Sequence, residues 1–154
     1  MKSIYMFLLA MAGFGIASAQ DENKSGMNDM LMSKTFVFKA QMVIPAVGSS
    51  RHLTNDYDVR VTPEMLVSYL PYFGRAYSAP LDPSKAGHDF TSKDYEYVLK
   101  ERRKGGWELT IKPKDVSDIR SMNFVIFSNG NATLQISSNS KQTISYSGTV
   151  ANAN

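Results

Sequence analysis

From Lys34 onward, apolar and polar residues take turns along the chain, the pattern of strands with one face buried and one wet. Phe36, Phe38, Ala40, Met42 and Ile44 share a face, with Lys39 and Gln41 opposite, until Pro45. Tyr57, Val59 and Val61 alternate with Asp56, Asp58, Arg60 and Thr62, and after Pro63 the same beat continues through Met65, Val67 and Tyr69. Tyr95, Tyr97 and Leu99 alternate with Asp94 and Glu96. Across a turn containing Gly105 and Gly106 they are answered by Trp107, Leu109 and Ile111, which predicts a hairpin. "MNFVIF" (122–127) is apolar on both faces, as a central strand is. Asn129-Gly130 is the strongest turn signal, since tight hairpin turns need positive φ. Ala132, Leu134 and Ile136 follow it, then Ile144, Tyr146 and Val150 after a polar turn.

These runs predict about eight strands joined by short turns, with a helix candidate only in "PKDVSDIRS" (113–121). Such a chain is an all-β antiparallel meander, and closure would remove its exposed edges. A lipocalin-like barrel is the first expectation and a two-sheet β-sandwich the second.

The segment before Lys34 lacks that beat. Lys2, an apolar run over residues 4–16 and Ala17-Ser18-Ala19 form the pattern of a cleaved secretory signal. The apolar run is shorter than the roughly 20 residues that span a bilayer. The expected organisation is a signal peptide over 1–19, a flexible leader over 20–33 and one domain over 34–151. The exported protein is expected to be soluble, in the periplasm or outside the cell, with no membrane insertion after cleavage.

Composition narrows the chemistry. The chain of 154 residues has no cysteine, which excludes a disulfide framework and a thiolate nucleophile or metal site. Removing residues 1–19 takes away one lysine and no acid, so the formal charge falls from +3 to +2. That excess is too small and too dispersed for a nucleic-acid partner. The one dense cluster, "KERRK" (100–104), reads as a solvated hairpin tip.

Catalytic equipment is sparse. The two histidines are His52, in the polar "SSRHLTND" expected to be a turn, and His88, in a loop after Gly87. No serine sits in a G-x-S-x-G elbow, and no glycine-rich phosphate loop opens a helix. Asp56 and Asp58 fall on the wet face of a strand, and His88-Asp89 is the other compact ligand set, so no metal is assigned. Asp82, Asp89 and Asp94 lie in or beside the longest loop, but nothing in their spacing selects a glycosidase pair. No cofactor is implied.

Aromatic surface remains. "SYLPYFGRAYSAP" (68–80) opens like a strand and cannot finish as one, because Pro71 has no N–H to pair. Tyr69 reads as the last inward residue, Gly74 as the holder of a positive φ, and Arg75 as a guanidinium stacked on the neighbouring rings. The corner is either a plug folded over one barrel end or the rim of a ligand mouth. The candidate ligand-binding residues are Tyr69, Tyr72, Phe73, Arg75, Tyr77 and His88.

"YLPYFGRAY" (69–77), "GHDF" (87–90) and "NGNATLQI…ISYSGTV" (129–150) resemble the bacterial family catalogued as domain of unknown function 4251. The resemblance covers roughly residues 33–150. It implies a small exported protein of a Gram-negative cell envelope and brings no assigned activity. The expected function is a non-catalytic binding module for a small apolar or glycan-like ligand. The alternative is a structural or assembly partner of another envelope protein, docked by a sheet edge or the 76–92 loop, and a hydrolase is third.

Overall fold

The computed structural model describes residues 17–78 and 86–153. The apolar run of the expected signal and Asp82 lie outside the described residues. Among the described residues one helix, α1 (Ala17–Met32), precedes nine strands: β1 (Phe36–Pro45), β2 (Arg51–Val61), β3 (Leu66–Tyr69), β4 (Phe90–Ser92), β5 (Tyr95–Glu101), β6 (Trp107–Pro113), β7 (Ile119–Ile126), β8 (Asn131–Ser138) and β9 (Ile144–Asn152).

All nine strands belong to one antiparallel sheet in the order β4-β3-β2-β1-β9-β8-β7-β6-β5. Nine is odd, so the two edge strands, β4 and β5, run in the same direction. Laid flat, they would stand roughly 38 Å apart at about 4.8 Å per strand. Only Lys93 and Asp94 separate them in sequence, which limits Ser92 and Tyr95 to about 11 Å. The sheet therefore curls into a nearly closed barrel, as expected. Residues 90–101 act as one bent run whose first part pairs with β3 and whose second part pairs with β6. Asp115 pins the bend: its carboxylate accepts hydrogen bonds from Ser92 Oγ and, at 2.8 Å, from Lys93 N.

Side chains fill the interior. Phe124 of β7 meets Phe36 and Phe38 of β1 edge-to-face, at centroid distances of 6.1 and 5.7 Å, although two strands lie between β1 and β7 in the sheet. Trp107, Leu109, Ile111, Met122, Leu134, Ile136 and Tyr146 are buried around them.

Several expectations are corrected. In β1 the register shifts between Ala40 and Met42, a bulge that turns Val43 inward and leaves Ile44 exposed, so the predicted face holds only as far as Ala40. In β3 the inward set is Leu66 and Ser68, followed by Leu70, while Tyr69 points out and is 51% exposed. The cause is register: Leu66 pairs with Val61 and Ser68 with Val59, both inward, and a one-residue slip reverses every side chain. β2 starts at Arg51, so exposed His52 is in a strand and not in a turn. The 113–121 segment is the last residue of β6, the connection over 114–118 and the start of β7, and holds no helix.

The leader expected to be flexible is helical over Ala17–Met32. Met27, Met30 and Leu31, spaced i, i+3, i+4, give it one apolar stripe that packs on the core, and Leu31 is fully buried. Trp107 Nε1 donates to Asn28 Oδ1 at 3.2 Å and the Tyr97 hydroxyl donates to the Leu31 carbonyl at 2.7 Å. The helix ends with Lys34 at φ 55°, where Lys34 N bonds Leu31 O and Thr35 N bonds Met30 O, closing its last carbonyls before β1. α1 thus caps one end of the barrel.

Candidate functional site

The other end is covered by the corner that follows β3. Residue 70 turns inward, and its N–H is received by Asp89 Oδ1 at 3.1 Å while its carbonyl accepts His88 N at 2.8 Å. Ser68, a polar residue on the inward face, is buried because its hydroxyl donates to the His88 carbonyl at 2.7 Å. The Tyr146 hydroxyl, deep in β9, donates to the Pro71 carbonyl at 2.7 Å. Burial pushes its pKa up, so this hydroxyl stays a donor.

Tyr72 folds back across Gly74, and its hydroxyl donates to the Arg75 carbonyl at 2.7 Å. Gly74 is required for space, not for a positive φ: a Cβ there would sit 2.7 Å from the Tyr72 hydroxyl. Arg75 contributes its carbonyl, which also accepts Gln142 N at 3.1 Å, and its side chain is exposed, with the stack predicted for it not formed among the described residues. The guanidinium over Phe73 comes from Arg51 of β2, at 5.3 Å. Tyr77 N donates to the Ser140 carbonyl, and Ala76 bridges to Lys141, so the corner is stitched to the β8–β9 turn.

The corner consequently has two sides. The inner side holds Leu70, Tyr72 and His88. His88 is 1% exposed, its ring lies 5.3 Å from that of Tyr72 in an edge contact, and the Lys141 ammonium sits over the Tyr72 ring, 5.6 Å from its centroid. Lys141 is itself buried and donates to the Gly87 carbonyl at 2.8 Å. Among the described residues neither His88 ring nitrogen has a hydrogen-bond partner. Burial first, then the Lys141 charge, lower its pKa from 6.5 to about 4, against an opposing pull from Asp118, so the imidazole is neutral at pH 7. Burial raises Asp89, whereas Asp118 is lowered despite its burial by hydrogen bonds from Ser140 and Ser138. Among the described residues no hydroxyl or carboxylate is bonded to the imidazole.

The outer side presents Tyr69, Phe73 and Tyr77, which are 51%, 37% and 71% exposed. Tyr69 stacks at 5.3 Å on Tyr57 of β2. Of the six residues singled out from the sequence, Tyr72 and His88 meet in the interior, Tyr69, Phe73 and Tyr77 face solvent, and Arg75 serves through its backbone. Arg51, Asp118, Lys141 and Tyr146 complete the corner. They come from four other places in the chain, and nothing in their local sequence marks them. Two shallow surface hollows, of about 340 and 320 Å³, lie instead at the helix end, lined by Lys100, Arg102, Arg103 and Glu108 and by Lys24, Asn28 and Glu101. Their charged, open walls do not suit an apolar ligand. Among the described residues no group of three or more His, Asp or Glu is placed to hold a metal ion, and no helix is long and apolar enough to cross a membrane.

Comparison with known proteins agrees with this architecture. A crystal structure at 1.95 Å of a DUF4251 family protein from Bacteroides eggerthii DSM 20697 superposes with a TM-score of 0.61 at 18% identity, over 88% of this chain and 91% of that one. No curated protein matches the sequence. The profile of the family described as "Domain of unknown function (DUF4251)" matches residues 18–150, nearly the whole of the helix-capped barrel with its aromatic corner, and the chain belongs to that family.

Proposed function

We propose that this protein is an exported, non-catalytic binding module of the cell envelope that takes a glycan-like ligand on the outer side of the aromatic corner. The carrying observation is that Tyr69, Phe73 and Tyr77 are exposed on a backbone fixed by hydrogen bonds to β9, to the β8–β9 turn and to Asp89. Rings held in place before binding lose little freedom when a ligand arrives. The C–H face of a sugar packs on such rings, and the tyrosine hydroxyls and the Arg75 guanidinium can meet its hydroxyls. With Phe36, Phe38, Phe124 and Trp107 filling the interior, an outer surface suits a ligand better than the barrel lumen does.

Export fits the same picture. Loss of residues 1–19 would leave Lys24, Met27, Asn28, Met30 and Leu31, the α1 residues that hold the cap. Titration of isotope-labelled protein with soluble peptidoglycan fragments and neutral oligosaccharides tests the reading. Binding should shift the Tyr69, Phe73 and Tyr77 resonances, and Tyr69→Ala and Tyr77→Ala should abolish it without lowering the melting temperature. A glycan panel that leaves these resonances in place would refute it.

A further inference from the structure

β5 is the last strand of the sheet and pairs only with β6, so seven residues present a free backbone edge. β4, the first part of the same bent run, has three residues and is engaged with β3. Among the described residues, no backbone hydrogen bond outside the β5–β6 ladder is made by residues 95–101. An edge of this length invites a further strand unless its side chains oppose one.

Here the side chains select one partner. The outward residues of β5 are Glu96, Val98 and Lys100, all exposed. On β6 they face Lys112, Thr110 and Glu108 respectively. Antiparallel pairing of two β5 strands about Val98 sets Val98 against Val98, Glu96 against Lys100 of the second copy, and Lys100 against its Glu96. Across the four strands β6-β5-β5-β6 the outer rows then read Lys112, Glu96, Lys100, Glu108 and, in the symmetry-related row, Glu108, Lys100, Glu96, Lys112. Charge alternates at every step, and the apolar pair sits at the centre between two threonines. Opposite charges directly across a ladder stabilise pairing and like charges oppose it. A two-fold axis makes such a patch self-complementary.

We infer that the free β5 edge is a homodimer interface, in which two copies of this chain pair antiparallel about Val98 and join their barrels through one continuous sheet. The proposal is independent of the glycan reading, since the aromatic corner lies elsewhere on the molecule.

The protein, purified from its full coding sequence, should sediment as a dimer at micromolar to hundred-micromolar concentration. E96K and K100E, exposed changes that leave the core untouched, should each weaken the dimer by about tenfold or more, because each puts two like-charge pairs across the axis. Mixing E96K with K100E should restore it, since every cross-copy pair in the mixed dimer is again Lys against Glu. V98C should form a disulfide-linked dimer on mild oxidation. Directly opposed residues lie about 4.5–5.5 Å apart at Cα, within disulfide range, and the chain has no cysteine of its own. T110C, one strand away on the same face, should not cross-link. A wild-type chain that stays monomeric, a mixture no tighter than either variant alone, or equal cross-linking of V98C and T110C would overturn the proposal.

Discussion

The two ends of the barrel are closed by different means. At one end α1 lays Met27, Met30 and Leu31 over the core, with two hydrogen bonds and the exposed Lys24–Glu101 pair at 2.7 Å around them. At the other a corner without regular structure brings polar groups inside: Ser68, His88 and Lys141 are all buried there. The apolar cap needs only the right residues on one stripe. The polar corner needs each buried donor and acceptor to find a partner, and it succeeds everywhere described except at the His88 imidazole. An unpaired buried imidazole costs stability, so the corner is the end where the fold tolerates a local penalty.

The comparison is tested most severely by truncating each closure. Leu31→Ala and Leu70→Ala both remove fully buried side chains and should each cost about 2–5 kcal/mol in denaturant unfolding. A Leu31→Ala loss below about 0.5 kcal/mol would mean that α1 does not cap the barrel.

Acid should separate the ends next. His88 titrates near 6.5 when unfolded and near 4 when folded. Its neutral form is favoured by the fold, so its contribution is complete above pH 6.5 and is lost as pH falls towards 4. The loss amounts to about 3 kcal/mol over that window. His88→Phe keeps a ring against Tyr72 and has no nitrogens to satisfy. It should flatten the stability profile between pH 6.5 and 4 and leave the protein more stable than wild type at pH 5. A wild-type profile already flat in that range would show that His88 is not held neutral.

Tyr146→Phe deletes only the hydroxyl that ties β9 to Pro71, and should cost about 1–2 kcal/mol by leaving a carbonyl short of its donor. Smallest of all, Tyr77→Ala should change stability by less than about 0.5 kcal/mol, because the ring is 71% exposed and the backbone N–H does the stitching. Phe73→Ala should cost slightly more, up to about 1 kcal/mol, from loss of the Arg51 contact. A large loss in either would move the outer rings from the ligand surface into the structural corner.

Legibility followed the range of the interactions. The β7–β8 hairpin was readable at Asn129-Gly130, where Gly130 takes φ 87° and the Asn129 side chain accepts Asn131 N. The β5–β6 hairpin was readable at Gly105-Gly106, both at positive φ. The inward face of β3 was not, because Ser68 is inward and hydrogen-bonds to His88, twenty residues on. The cap was missed because its apolar stripe is a single turn of helix, too short to register as a period. In the corner, six aromatic, arginine and histidine positions stood out by composition, but their roles depended on Arg51, Lys141 and Tyr146, which no local pattern connects to them.

The sequence alone determined an all-β chain, its hairpins and most of its inward faces, because side-chain alternation and turn chemistry act between near neighbours. The tertiary structure decided the register of β3, the bulge in β1, the closure of the sheet by one bent run and the division of the corner into buried and exposed rings. Those features depend on pairings between distant strands and on which buried polar groups meet, and neither is encoded in any one segment.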